Sequence, residues 1–147
     1  MPDTPGSILF VCGMNAIRSP MAEQLARAIL PQGVYIVSAG VHEGERDPFV
    51  DAVLAEKGLT LGQRLPQLLE DIEDNYFDLI VTLSPEAHHK ALDMTRTHAG
   101  ELEFWPTADP SDTRGTREQI LEAYRSVRDH LEQRIREKLS KGSGSAQ

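Results

Sequence analysis

The chain has 147 residues, 39% of them hydrophobic and 26% charged, which suits one soluble domain, over residues 1–140, with a proper core. Its net charge of −8 excludes broad binding to nucleic acid or to an anionic membrane, since either needs a basic surface. No apolar run approaches the ~20 residues of a membrane span, residues 1–7 lack the basic and apolar regions of a signal peptide, and a lone cysteine excludes an internal disulfide or a multi-cysteine metal site, so the expected setting is cytoplasmic.

Residues 1–7, with two prolines and a glycine, read as a loose lead-in. Residues 8–11 form a continuous apolar run, the pattern of a central strand covered on both faces. In residues 20–30, Met21, Ala22, Leu25, Ala26, Ala28 and Ile29 fall mostly at helical spacing, and Pro31-Gln32-Gly33 ends the helix. Residues 34–37 form the second strand, with Ser38-Ala39-Gly40 as the turn after it. A helix over 48–57 has Asp47 as its cap and Gly58 as its stop. Residues 65–72 form a weaker helical segment, and residues 77–83 a buried third strand. Ser84-Pro85-Glu86 opens a helix reaching Met94, and residues 102–105 form a short fourth strand. In residues 116–139, Ile120, Leu121, Tyr124, Val127, Leu131, Ile135 and Leu139 recur at steps of three and four, which predicts a long amphipathic helix whose Glu and Arg residues form a solvated face. Residues 141–147 are Gly/Ser-rich and expected to be a disordered tail.

Strands and helices alternate, which predicts an α/β fold: a three-layer, four-stranded parallel sheet with helices on both faces. Ligands of such sheets bind at the carboxyl ends of the strands. Cys12 stands at the end of the first strand and Asp109 just past the end of the fourth, so fold rules bring them to one edge.

The loop after the first strand reads Cys12-Gly13-Met14-Asn15-Ala16-Ile17-Arg18-Ser19-Pro20. A thiolate is the reactive form of cysteine, and a neighbouring cation or a helix N-terminus favours it. Ser19 as a cap and Pro20 as the first helical residue predict a helix starting directly after Arg18. The five residues between Cys12 and Arg18 suffice to curl the backbone round a tetrahedral oxyanion, with loop amides and the two parallel donors of Arg18 on its oxygens. The sulfur then lies in line with the phosphorus, and attack gives a phosphocysteine. His88-His89 are adjacent on a helix and lack the spacing of a metal pair, Trp105 reads as core, and no metal or cofactor is expected.

Phe10-Val11-Cys12, Asn15, Arg18-Ser19-Pro20-Met21-Ala22-Glu23, Ser38-Ala39-Gly40, Trp105 and Asp109-Pro110 resemble the low-molecular-weight protein tyrosine phosphatase family, whose fold is shared by thioredoxin-coupled arsenate reductases. The resemblance covers residues 8–139. It implies that Asp109 is the general acid and base, with a pKa raised by the anionic loop and partial burial; by local sequence alone Asp109 is a turn residue before proline, and Asp112 is the fallback. It also implies that Ser19 steadies the thiolate, and that Ser38 braces the loop through a hydrogen bond to Asn15. The substrate implied is a phosphorylated protein or a small aryl phosphate.

Three features depart from the family pattern. Ile17 stands where many members carry a second cysteine, so a redox latch with Cys12 is absent. Gly13-Met14 moves the loop glycine one place, which strains Met14 if position 14 needs a positive φ. Ser111-Asp112-Thr113 replaces the aromatic residues that follow Asp-Pro in tyrosine-selective members. Two alternatives therefore stand beside the phosphatase: an arsenate reductase drawing electrons from an external thiol, and a non-catalytic module that binds phosphorylated partners.

Overall fold

A computed structural model describes residues 4–63, 65–73, 76–93 and 99–139. Strands β1 (Ser7–Cys12), β2 (Tyr35–Gly40), β3 (Phe77–Thr82) and β4 (Ala99–Phe104) form one parallel sheet in the order β2-β1-β3-β4. Helices α1 (Arg18–Ile29), α2 (Pro48–Ala55), α3 (Pro85–Leu92) and α4 (Arg117–Leu139) complete the α/β architecture. Helix α3 ends at Leu92 with Asp93 as its C-cap; Met94, its expected end, and the tail at 141–147 lie outside the described residues.

The apolar run of β1 is divided by the pleat. Ile8, Phe10 and Cys12 join Met21, Leu25, Val53, Leu54, Leu131 and Ile135 on the face covered by α1, α2 and α4. Leu9 and Val11 join Ala87 and Ala91 of α3 on the opposite face. Successive strand residues point to opposite sides, so a strand covered on both must be apolar throughout. Trp105 is 1% exposed and meets Phe10 edge-on, which makes it core as expected.

The helix starts follow their local chemistry. Asp47 accepts from Phe49 N at 2.9 Å with Pro48 behind it, and Ser84 Oγ accepts from Ala87 N at 3.2 Å with Pro85 behind it. Thr116 and Gln119 form a reciprocal cap at the start of α4: Gln119 N donates to Thr116 Oγ1 at 3.1 Å and Thr116 N to Gln119 Oε1 at 2.8 Å. Gly58, at φ +74°, closes the segment after α2 in a conformation that suits glycine.

Three expectations are corrected. Ser38-Ala39-Gly40 is no turn but the second half of β2, because the ladder continues through Phe10 with Ser38, Val11 with Ala39 and Cys12 with Gly40. Residues 65–72 contain only the 3-10 turn Leu69–Asp71; the backbone before it serves β2, with Gly40 N donating to Gln67 O at 2.9 Å and a bridge from Gly40 to Leu68. The charged face of α4 is not all solvated either. Arg128 is 7% exposed and donates from Nη1 to Val53 O at 2.9 Å and to Glu56 Oε1 at 2.7 Å, which fastens α4 to α2.

β1 lies between β2 and β3, so the chain leaves it in one direction toward β2 and later builds in the other. The loop after Cys12 therefore emerges where strand order reverses, the usual ligand crevice of an open α/β sheet.

Candidate active site

Residues 13–17 join the end of β1 to the start of α1. The outgoing strand and its neighbour steer them: Val41 N donates to Cys12 O at 3.1 Å and His42 N to Gly13 O at 2.8 Å. The loop turns at Asn15, whose φ is +53°, the one positive φ among the described residues other than glycines. Met14 does not take that conformation, so the strain expected there is absent; Asn tolerates it better than most residues. Two glycines leave room for the turn. A Cβ on Gly40 would meet Asn15 N and Met14 C at 2.5 Å, and one on Gly44 would meet Met14 O at 2.7 Å.

Asn15 is 1% exposed and works as a double brace. Its Nδ2 donates to Ser19 Oγ at 2.8 Å and its Oδ1 accepts from Gln67 N at 2.8 Å. The brace expected from Ser38 is thus made by Gln67. Ser38 Oγ instead donates to Glu23 Oε1 at 2.5 Å, and Glu23 in turn receives Arg27 Nε at 3.1 Å. A buried carboxylate needs donors, and Ser38 is turned away from the loop to supply one.

Helix α1 begins at Arg18, capped by the backbone of Ile17 with no side-chain acceptor. Ser19 is therefore not the N-cap. It lies inside the first turn, fully buried, with Oγ 2.9 Å from Cys12 Sγ and 3.3 Å from Ala39 O. One of its two lone pairs accepts from Asn15, and its single proton can go to the sulfur or to that carbonyl.

Arg18 reaches back across the sheet edge. Its Nη1 donates to Thr107 O at 3.0 Å, and Thr107 N is itself fixed to Leu83 O at 3.1 Å beyond β3. Its Nη2 stands 3.7 Å from Asp109 Oδ2. Asp109 precedes the 3-10 turn Pro110–Asp112 and accepts from Ser111 N at 2.9 Å and Ser111 Oγ at 2.7 Å. Burial pushes the Asp109 carboxyl up, but the two Ser111 hydrogen bonds and the Arg18 charge outweigh it and hold the group below the usual carboxylate range. The raised pKa expected for Asp109 is therefore not a property of the free protein.

Cys12, Gly13, Met14, Ala16, Ile17, Arg18 and Asp109 line one pocket of about 500 Å³, together with His42, Asp47, Glu86 and Ser111. Asn15 and Ser19 support it from within the core, while Ser38 and Asp112 are not part of its lining. Among the described residues no Phe, Tyr or Trp ring lines it, in keeping with the Ser111-Asp112-Thr113 sequence. A larger open groove of about 650 Å³ beside Glu23, Arg27 and Tyr35 has no Cys, Ser or Thr among its described lining residues. Among the described residues no group of three His, Cys, Asp or Glu side chains is placed to hold a metal ion. His88 is occupied elsewhere, stacked on Phe104 with Nδ1 2.9 Å from Thr82 Oγ1. Among those residues, too, no helix is long and apolar enough to cross a membrane.

Gln67, Thr107 and the pairing of His42 with Glu86 were not singled out by the sequence. Gly40 falls within Ser38-Ala39-Gly40, and a close approach there is the usual reason for glycine at a strand end. Gln67 carries no local signal, because its role is a backbone N–H reaching Asn15 from 52 positions away.

Comparison with known proteins gives a coherent set of likenesses. Residues 7–142 match the family model described as low molecular weight phosphotyrosine protein phosphatase. The chain is 31% identical over 130 residues to an arsenate reductase of Bacillus subtilis, covering 88% of this chain and 92% of that protein. It is 35% identical to a protein-arginine-phosphatase of Geobacillus stearothermophilus, covering 92% and 97%. A crystal structure of the Erwinia amylovora tyrosine phosphatase amsI superposes with a TM-score of 0.75 at 25% identity, covering 96% of this chain and 95% of that one.

Proposed function

Because the chain belongs to the low molecular weight phosphotyrosine protein phosphatase family, we propose that it is a phosphomonoester hydrolase working through Cys12 in the cytoplasm, where a lone thiol stays reduced. The substrate is a phosphorylated protein or a small aryl phosphate. The observation that carries this reading is the placement of Cys12 Sγ, 2.9 Å from Ser19 Oγ, in one pocket with an Arg18–Asp109 pair 3.7 Å apart.

In the first step the Cys12 thiolate attacks phosphorus in line. A P–S bond forms as the P–O bond breaks, and the departing oxygen takes a proton from Asp109. In the second step water attacks phosphorus, Asp109 takes its proton, and the P–S bond breaks to return the thiolate and release phosphate. Arg18, held by Thr107 O, presents its guanidinium to the phosphoryl oxygens, and the amides of residues 13–18 and the start of α1, which no side chain caps, supply further donors. Ser19 donates its hydrogen bond to the sulfur when the thiolate forms or departs, since a charged acceptor outcompetes the neutral Ala39 carbonyl.

Asp109 must carry a proton when a substrate ester is bound, although it is ionised in the free protein. A phosphate dianion resolves this. It engages the Arg18 charge that stabilises the carboxylate and adds negative charge beside it, and both changes raise the Asp109 pKa.

Hydrolysis of p-nitrophenyl phosphate by the wild type, Cys12→Ser and Asp109→Ala tests the reading. Cys12→Ser should abolish turnover while phosphate still binds, and Asp109→Ala should slow it by about 100-fold or more, the range for loss of a general acid. Full activity in the serine variant would remove Cys12 from the mechanism.

A second reading is favoured by the likeness to the Bacillus arsenate reductase. Cys12 would take up arsenate, and an external thiol would attack the sulfur, releasing arsenite and leaving a mixed disulfide on Cys12 that a second thiol reduces. The single cysteine requires that both electrons come from those external thiols. Arsenite release that depends on added glutathione, without phosphatase turnover, would favour this reading.

A further inference from the structure

Beside the anion loop stands a carboxylate that hydrolysis of a phosphate ester does not require. Glu86 lies in the first turn of α3, and its Oε2 meets His42 Nε2, which extends from the segment after β2. Both side chains are more than half exposed, both line the Cys12 pocket, and together they bridge two of its walls. His42 is anchored at its backbone by the bond from its N–H to Gly13 O.

The other oxygen of Glu86 faces the loop. A Cβ built on Gly13 would stand 3.7 Å from Glu86 Oε1 and 4.0 Å from Arg18 Nη2, so the carboxylate and the anion-binding guanidinium flank the same point. Capping does not explain Glu86, because Ser84 Oγ already accepts the Ala87 amide. Nor does Arg18 use it as a partner, since that guanidinium is engaged by Thr107 O and Asp109.

A bare phosphate dianion is repelled by a carboxylate in this position. A substrate with a cation close to its phosphoryl group is not, because the cation can pair with Glu86 while the phosphoryl oxygens sit on Arg18 and the loop. We propose that Glu86 is a specificity-determining residue that selects phosphorylated peptides carrying a basic group beside the phosphoryl group, with His42 holding the carboxylate until the substrate's cation replaces it. This inference rests on the hydrolase reading above. The cation has two sources that the test separates: an Arg or Lys next to the phosphorylated residue, or the phosphorylated side chain itself when it is basic, in which case the bond broken on attack by Cys12 is P–N and Asp109 protonates the departing nitrogen.

The test compares wild type, Glu86→Gln and Glu86→Lys at low ionic strength on three peptides of equal length. Two carry phosphotyrosine, one flanked by Arg and the other by Glu; the third carries phosphoarginine between neutral residues. The wild type should favour a cationic substrate over the Glu-flanked peptide by about fivefold in kcat/KM, chiefly through KM, the scale of one partly exposed charge pair. Glu86→Gln should flatten that ratio and Glu86→Lys should invert it, and added salt should shrink it in the wild type. A preference for the Arg-flanked peptide assigns the cation to the flank; one confined to phosphoarginine assigns it to the phosphorylated side chain. An unchanged ratio in Glu86→Gln, or no preference in the wild type, overturns the inference. Wild-type hydrolysis of p-nitrophenyl phosphate is measured alongside: its presence with a flat ratio overturns this inference alone, and its absence overturns the hydrolase reading as well.

Discussion

Ser19 shows how much of the proposed chemistry hangs on single hydrogen bonds. Its hydroxyl is buried, accepts from Asn15, and has one proton to give, 2.9 Å from Cys12 Sγ. Ser19→Ala removes a donor to a charged sulfur, a bond of about 1.5–3 kcal/mol, so kcat for p-nitrophenyl phosphate should fall about 10- to 100-fold. Unaltered kcat would assign the hydroxyl a purely structural part. Asn15 is separable in another way, because its backbone is left-handed at φ +53° while its side chain makes two bonds. Glycine keeps the backbone and loses the bonds; alanine loses both. Denaturant unfolding should therefore find Asn15→Ala less stable than Asn15→Gly by about 1 kcal/mol, the cost of placing a Cβ in that region. Ser38 marks where sequence reasoning ran out: it was identified as part of the site's surroundings, but its partner Glu23 is chosen by contacts from another element. Ser19 stands against Cys12, the neighbour that the resemblance implied, and what local sequence hid was its place inside the first turn of α1 rather than at the cap.

At the level of elements, the legible features were those set by neighbours in sequence. Asp47, Ser84 and the apolar stripe of α4 behave as local pattern dictates. The 65–72 stretch does not, because its backbone is recruited by the exposed edge of β2 rather than by its own turns. Arg128 was hidden for a related reason: on a helix wheel it is one more charge, and only the packing of α2 against α4 buries it. Arg128→Ala removes charged hydrogen bonds to Val53 O and Glu56, and should cost about 2 kcal/mol in denaturant unfolding. A change within a few tenths of a kcal/mol would show that the contact between α2 and α4 does not depend on it.

For the whole molecule, sheet order and site position follow from the same alternation of strands and helices, which is why Cys12, Arg18 and Asp109 meet although 97 positions separate the first from the last. The charge balance of the fold also has a pH signature. Asp109, Glu56 and Glu132 all have carboxyl pKa values below their ordinary ones: burial raises Asp109 and Glu132 but hydrogen bonds and nearby cations prevail, and at Glu56 the bonds from Arg125 and Arg128 lead. A depressed folded-state pKa contributes stability that is present above the unfolded value and lost as pH falls through the folded one. Thermal melting should therefore be nearly level on the alkaline side of the unfolded carboxylate range, around pH 4, and drop as pH falls below it. A melting temperature that rose on acidification would contradict these ion pairs. The central claim, phosphoryl transfer to Cys12, is met most directly by rapid quenching of wild-type turnover of p-nitrophenyl phosphate in acid, followed by mass spectrometry of the intact protein and its peptides. One phosphoryl group on Cys12 in the wild type, with steady turnover lost in Cys12→Ser, is expected; steady turnover with no adduct on Cys12, sustained in the serine variant, would rule the phosphocysteine out.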